Sequence, residues 1–224
     1  MLASLLKNFR LLLGRSLRET GQALDRVGCR WSRDVGYLER LSRHRTLMPI
    51  DEIWPSHGAS FIAPSASLVG DVQVGSDSIV WYGAVLKGDQ YGIRIGDSVV
   101  IGENTSIRNY QNMPNGLPHS TTIADNVVIG ANSVLSSCTI DSYCRVGAGA
   151  VICQGARLEK GCVVLPGAVV SPGGFVPAYT VYGGSPAHFV RDAGEEDFTE
   201  FARLLGEERS AGETQASLLK ALGH

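Results

Sequence analysis

Stepping by six residues from Ile62 lands on Leu68, Val74, Val80 and Leu86. The count restarts at Ile95 with Ile101 and Ile107, and at Ile123 with Ile129 and Leu135. After a slip of one residue it restarts at Ile140 and runs through Val146, Ile152, Leu158, Val164, Val170 and Val176. Every position is Ile, Leu or Val, which chance does not produce. Two residues ahead of each stands a small or β-branched residue, among them Ala66, Ser78, Ala84, Cys144, Ala156 and Ala168. One large and one compact column suit a narrow prism, whose corners have little inward space while its flat faces take a branched side chain.

This is the hexapeptide rule of an all-β solenoid, the left-handed parallel β-helix, with three short strands to a coil of about eighteen residues. Such a fold departs from the usual right-handed crossover, and its stability accumulates coil by coil. Glycine follows the large residue at Gly75, Gly96, Gly102, Gly130 and Gly147, where a sharp bend is expected. Register breaks at 87–92 (KGDQYG) and 108–120 (RNYQNMPNGLPHS) read as loops. Cys138, Cys144 and Cys162 fall in the compact column and read as small buried hydrophobes, whereas Cys153 is expected to face outward. No CxxC pair or zinc-finger spacing occurs, and no apolar run is long enough to span a membrane.

The charge is unevenly spread. The chain carries a formal −2, which argues against a nucleic-acid partner, but residues 1–50 hold ten Lys/Arg against four Asp/Glu. That asymmetry marks a basic N-terminal extension (1–50), followed by the β-helix (51–191) and a C-terminal helical segment (192–224). Leu5, Leu6, Phe9, Leu12 and Leu13 follow helical spacing in an acid-free stretch. This amphipathic helix is suited to targeting, to a membrane surface or to a partner protein, and these five residues are the docking candidates. Near the other end, Gly183, Gly184 and Pro186 end the last coil. A helix is expected over 194–208, with Phe198, Phe201, Ala202 and Leu205 on one face and Glu195, Glu196, Glu200, Glu207 and Glu208 exposed. Residues 209–213 are expected to break it before a last short helix.

The stretches VWYGAVLKGD (80–89), TIADNVVIGANSVLSSCTI (122–140) and VYGGSPAHFVR (181–191) resemble the γ-class carbonic anhydrases. ETGQALDRVGCR (19–30) and LSRHRTLM (41–48) resemble the N-terminal extension of the γ-carbonic-anhydrase subunits of mitochondrial complex I in plants, algae and protists. The likeness runs from about residue 17 to about residue 200. It implies a trimer of left-handed β-helices, whose active members hold zinc at subunit interfaces through three histidines. There a metal-bound water, its pKa lowered to about 7, attacks carbon dioxide.

Carried over position by position, the histidine slots hold Arg108, Ala131 and Ser136. A permanent cation at the first slot opposes a metal. The family's glutamine falls on Gly102, with Glu103 as the acid after it. The family's RGD reads Lys87-Gly88-Asp89, which makes Lys87 and Asp89 the trimer-interface candidates. The resemblance therefore implies a subunit with no catalytic residues, no cofactor and no metal of its own. Zinc is expected only between histidine-bearing partners. The implied setting is a heterotrimer with homologous subunits on complex I, on the matrix side of the mitochondrial inner membrane, with lipid contact through the N-terminal helix. Two enzyme readings stay open at this point. One is a hexapeptide-repeat acyltransferase using His119 as general base, and the other a divergent active carbonic anhydrase.

Overall fold

The computed structural model describes residues 46–221 except 51, 52, 60 and 110–118, together with residues 13, 14, 16, 17, 19–21, 23, 24, 27, 28 and 31. The chain divides into two compact units, Met1–His44 and Arg45–His224. In the first, the described residues are helical as far as Trp31, past the leucine-rich stretch. Leu13 is half-exposed there, while Leu5, Leu6, Phe9 and Leu12 lie outside the described residues. Among the described residues no helix is long and apolar enough to cross a membrane.

The second unit is a parallel β-solenoid of about seven turns with a C-terminal helix. The six-residue count explains the stacking. Ile107, Leu135, Ile152 and Val170 are register partners down one face, and Ile95, Ile123, Ile140, Leu158 and Val176 down the next. Ile101, Ile129, Val146 and Val164 line the third. Every large-column residue except the half-buried Ile62 is buried. Each contributes about 2 kcal/mol by leaving water. The single-residue slip between Leu135 and Ile140 is absorbed at Ser137, whose φ of 39° tightens that corner. Leu47–Met48 pairs in parallel with Leu68–Val69, so the first coil starts within the segment that its charge marks as an arm. At the far end His188–Asp192 turns back antiparallel on Thr180–Gly183.

Glycine does two different jobs at the corners. The left-handed residue lies three after the large one, as at Asn104 (φ 54°), Asn132 (φ 58°) and Gly149 (φ 69°). The glycines directly after the large residue are not the ones that bend the chain, contrary to the expectation from sequence. They let coils stack. A Cβ on Gly102 would lie 2.5 Å from the backbone nitrogen of Ala131, and one on Gly130 2.5 Å from that of Ala148.

Residues 87–92 are also not a free loop. Val85–Ile95 is one 11-residue strand that pairs with Ser67–Val74, the register shifting between Gly70 and Val72. Residues 89–92 bulge from an otherwise continuous ribbon, because a parallel neighbour supplies partners on both sides of the insertion.

Cys138, Cys144 and Cys162 are fully buried and Cys153 half-buried. Burial pushes the Cys138 thiol up to about 12, so it packs as an apolar group rather than acting as a nucleophile.

The C-terminal helix is continuous over Glu195–Ala221, which corrects both the expected break at 209–213 and the separate last helix. Gly212 is what seats this part of the helix on the solenoid, since a Cβ there would lie 2.7 Å from Ile79 Cδ1. Two of the glutamates expected to face solvent make bonds to the solenoid. Glu208 accepts from Trp81 Nε1 at 2.6 Å, and Glu200 pairs with Arg145 at 2.5 Å. Phe201 is buried against Val100 and Val128.

At the helix start Asp197 accepts from both terminal nitrogens of Arg191, at 2.6 and 2.9 Å, and from the Gly194 N–H at 2.9 Å. The Arg191 guanidinium holds the Asp197 carboxyl below its ordinary value of 3.8, against the opposing effect of burial. A depressed folded-state value stabilises above the unfolded one, so this contribution is complete above about pH 4 and fades as pH falls further. Asp197→Asn is expected to lower Tm at neutral pH and to flatten the acid side of the Tm–pH curve relative to the parent.

Candidate functional site

The strands Val85–Ile95, Ser106–Arg108 and Val134–Ser136 lie side by side, with Lys87, Arg108 and Ser136 as successive register partners at one corner of the prism. Ile107 and Leu135 point inward, so their neighbours Arg108 and Ser136 face outward by strand alternation. Arg108 is exposed, whereas Ser136 is only 6% exposed. Lys87 Nζ pairs with Asp89 Oδ2 at 3.3 Å within the chain. Ala131 lies elsewhere, on the corner preceding Val134–Ser136. It lines a cleft of about 590 Å³ beneath the helix, with Glu103, Arg145 and Glu208. The structure thus brings two of the three slots together and sets the third on a different corner.

Zinc needs three neutral imidazoles, or equivalent donors, around one open position. The column here offers a guanidinium, an ammonium and a hydroxyl, and Ala131 offers a methyl group. These residues do not fit a zinc ion. At Gly102, where the resemblance sets the family's glutamine, a Cβ would lie 2.5 Å from the Ala131 backbone nitrogen, so this corner has no room for a side chain. Among the described residues, no group of three or more His, Cys, Asp or Glu is placed to hold a metal ion.

One fastening here had no signal in the sequence. The Asn109 amide donates to the carbonyls of Tyr91, at 2.5 Å, and Gly92, at 3.2 Å, and its oxygen accepts from Thr121 Oγ1 at 2.6 Å. It ties the 89–92 bulge to the next coil. His119 stacks on Tyr91 with ring centroids 4.7 Å apart, and its carbonyl accepts from Ser137 Oγ at 2.9 Å.

Comparison with known proteins bears on this site. The sequence profile of the family described as dynactin subunit 5 matches residues 59–201, which are the solenoid coils and the start of the helix. Gamma carbonic anhydrase 3, mitochondrial, of Arabidopsis thaliana is 43% identical over 206 residues, covering 92% of this chain and 80% of its own length. Gamma carbonic anhydrase 1, mitochondrial, of the same plant is 41% identical over 186 residues, covering 83% and 68%. The chain belongs to the gamma carbonic anhydrase family. Within that family it is also 44% identical over 161 residues to gamma carbonic anhydrase-like 1, mitochondrial, covering 71% of this chain and 64% of that protein. Among solved structures, a putative acetyltransferase of Bacillus cereus superposes with a TM-score of 0.71 at 29% identity, covering 77% of this chain and 97% of that one. A hexapeptide transferase family protein of Anaplasma phagocytophilum gives 0.70 at 28%, covering 77% and 99%. What the solved structures share with this gamma carbonic anhydrase relative is the hexapeptide coil.

Proposed function

We propose that this chain is a non-catalytic, structural gamma-carbonic-anhydrase-like subunit of mitochondrial complex I, the NADH:ubiquinone oxidoreductase. In this reading it sits in a heterotrimer with homologous subunits on the matrix side of the inner-membrane arm. The observation that carries the reading is the donor set at the ligand slots, where Arg108 stands in register between Lys87 and Ser136. Two cations at a metal corner oppose a third one. The mitochondrial designation of the relatives supports the compartment, and the resemblance of residues 19–30 and 41–48 supports the assembly. Lys87 and Asp89 are the proposed trimer contacts, and the leucine-rich N-terminal helix docks on the membrane domain or its lipid. If two histidine-bearing relatives complete the trimer, this subunit disables both interfaces it touches, and at most one metal site remains between the other two.

Native mass spectrometry of the assembly in mild detergent, with zinc counted, tests this. The expected result is this chain beside respiratory-chain subunits and two histidine-bearing relatives, with no more than one zinc per trimer. A soluble homotrimer carrying three metals would overturn the reading. The likeness to the acetyltransferase and hexapeptide transferase structures favours a second reading, acyl transfer with His119 as base. It predicts that coenzyme A protects the loop around His119 from proteolysis or hydrogen exchange; the scaffold reading expects no protection.

A further inference from the structure

Among the described residues, the left-handed corner positions of the solenoid are filled by Gly, Asn, Asp or Ser, with two exceptions. Tyr143 (φ 62°) and Tyr179 (φ 58°) hold aromatic side chains where such residues cost about 1 kcal/mol or more. They lie in one column, two coils apart, with Gly161 (φ 67°) between them. A Cβ on Gly161 would strike the Tyr179 ring at 2.6 Å. The two tyrosines are edge-on to Phe201 and Phe198 of the C-terminal helix, at 6.4 and 6.0 Å between centroids. Together these rings wall a cleft of about 500 Å³, which is within the size range of small-molecule sites. On its helical side Gly206 has open space where a Cβ would project.

Two cations border this apolar slot. Lys160 Nζ stands 5.5 Å from the Tyr143 ring centroid, and Arg209 lines the cleft as well. Arg209 donates to Ser98 Oγ, yet its Nε is buried without an acceptor. That Nε is closed off, so a ligand in the cleft meets the positive charge of Arg209 and Lys160 rather than that donor. We propose that this cleft binds a medium- to long-chain carboxylate, with the chain against the four rings and Gly206 and the head group between Lys160 and Arg209. The strained tyrosines form the walls of this slot.

Isothermal titration of the full chain with sodium dodecanoate tests the proposal, with dodecyltrimethylammonium as the cationic control. Dodecanoate is expected to bind one per chain at this cleft, and the cationic chain not to bind there. Gly206→Leu fills the slot and is expected to weaken dodecanoate at least about tenfold, with Tm unchanged or raised because glycine is a poor helix residue. Lys160→Gln removes one head-group partner and should weaken it about fivefold. Equal binding of the two amphiphiles would overturn the proposal, as would dodecanoate binding that neither variant alters. So would no binding by the folded protein with a sedimentation shift in Gly206→Leu, which would assign the cleft to a second copy of the chain.

Discussion

Gly102→Gln, which puts a glutamine where the resemblance sets the family's, is expected to destabilise the solenoid by about 3 kcal/mol. A Cβ at this position meets the Ala131 nitrogen at 2.5 Å, the Gly130 carbonyl carbon at 2.7 Å and the Ile129 oxygen at 2.8 Å. All three are backbone atoms of the next coil, held there by the Gly102 N–H to Ile129 carbonyl bond of 2.8 Å. No rotamer change relieves such a contact, so the coils must separate. Gly206→Ala is the control. Its Cβ meets nothing within 4 Å, and it should stabilise by up to about 1 kcal/mol as an ordinary helix substitution. Urea unfolding of the two variants beside the parent checks the pair. A Gly102→Gln protein with parental stability would mean that the coils can yield at this corner.

Leu135→Ala is expected to cost about 3 kcal/mol, within the usual range for a buried leucine. Leu135 is fully buried and stacks between Ile107 above and Ile152 below. Its compact-column neighbour Ser133 is held by hydrogen bonds to the Gly130 and Gly147 carbonyls, at 2.8 and 3.2 Å. The hole therefore cannot close by a shift of Ser133. In a stack where each coil contacts only its neighbours, weakening a central coil also uncouples the two ends. Denaturant unfolding should then show both a lower midpoint and a broader transition than the parent. A sharp transition at the parental midpoint would show that the cavity collapses at little cost.

The candidate site was partly legible in advance. The resemblance, carried over position by position, located Arg108, Ala131 and Ser136, and the residue types there argue against zinc without any coordinates. The count could not show that Ala131 faces a cleft under the helix while Arg108 and Ser136 share a column. That depends on which corner each turn occupies. Lys87 and Asp89 were picked out as interface residues by resemblance, and the structure adds that they pair with each other. Asn109 carried no signal at all, because its partners Tyr91 and Gly92 lie a full coil away.

The sequence by itself determined the solenoid, its large and compact columns and the burial of the three compact-column cysteines. Each of these is set by residue type at a fixed spacing of six, and so is local in the chain. Only the tertiary structure decided that the bulge at 89–92 stays within one strand, that the helix runs unbroken to Ala221, and that Glu200 and Glu208 serve Arg145 and Trp81. The Trp81–Glu208 bond joins residues 127 apart in sequence. No periodicity reports such a pairing, because it arises from where the finished prism places a face for the helix to cover.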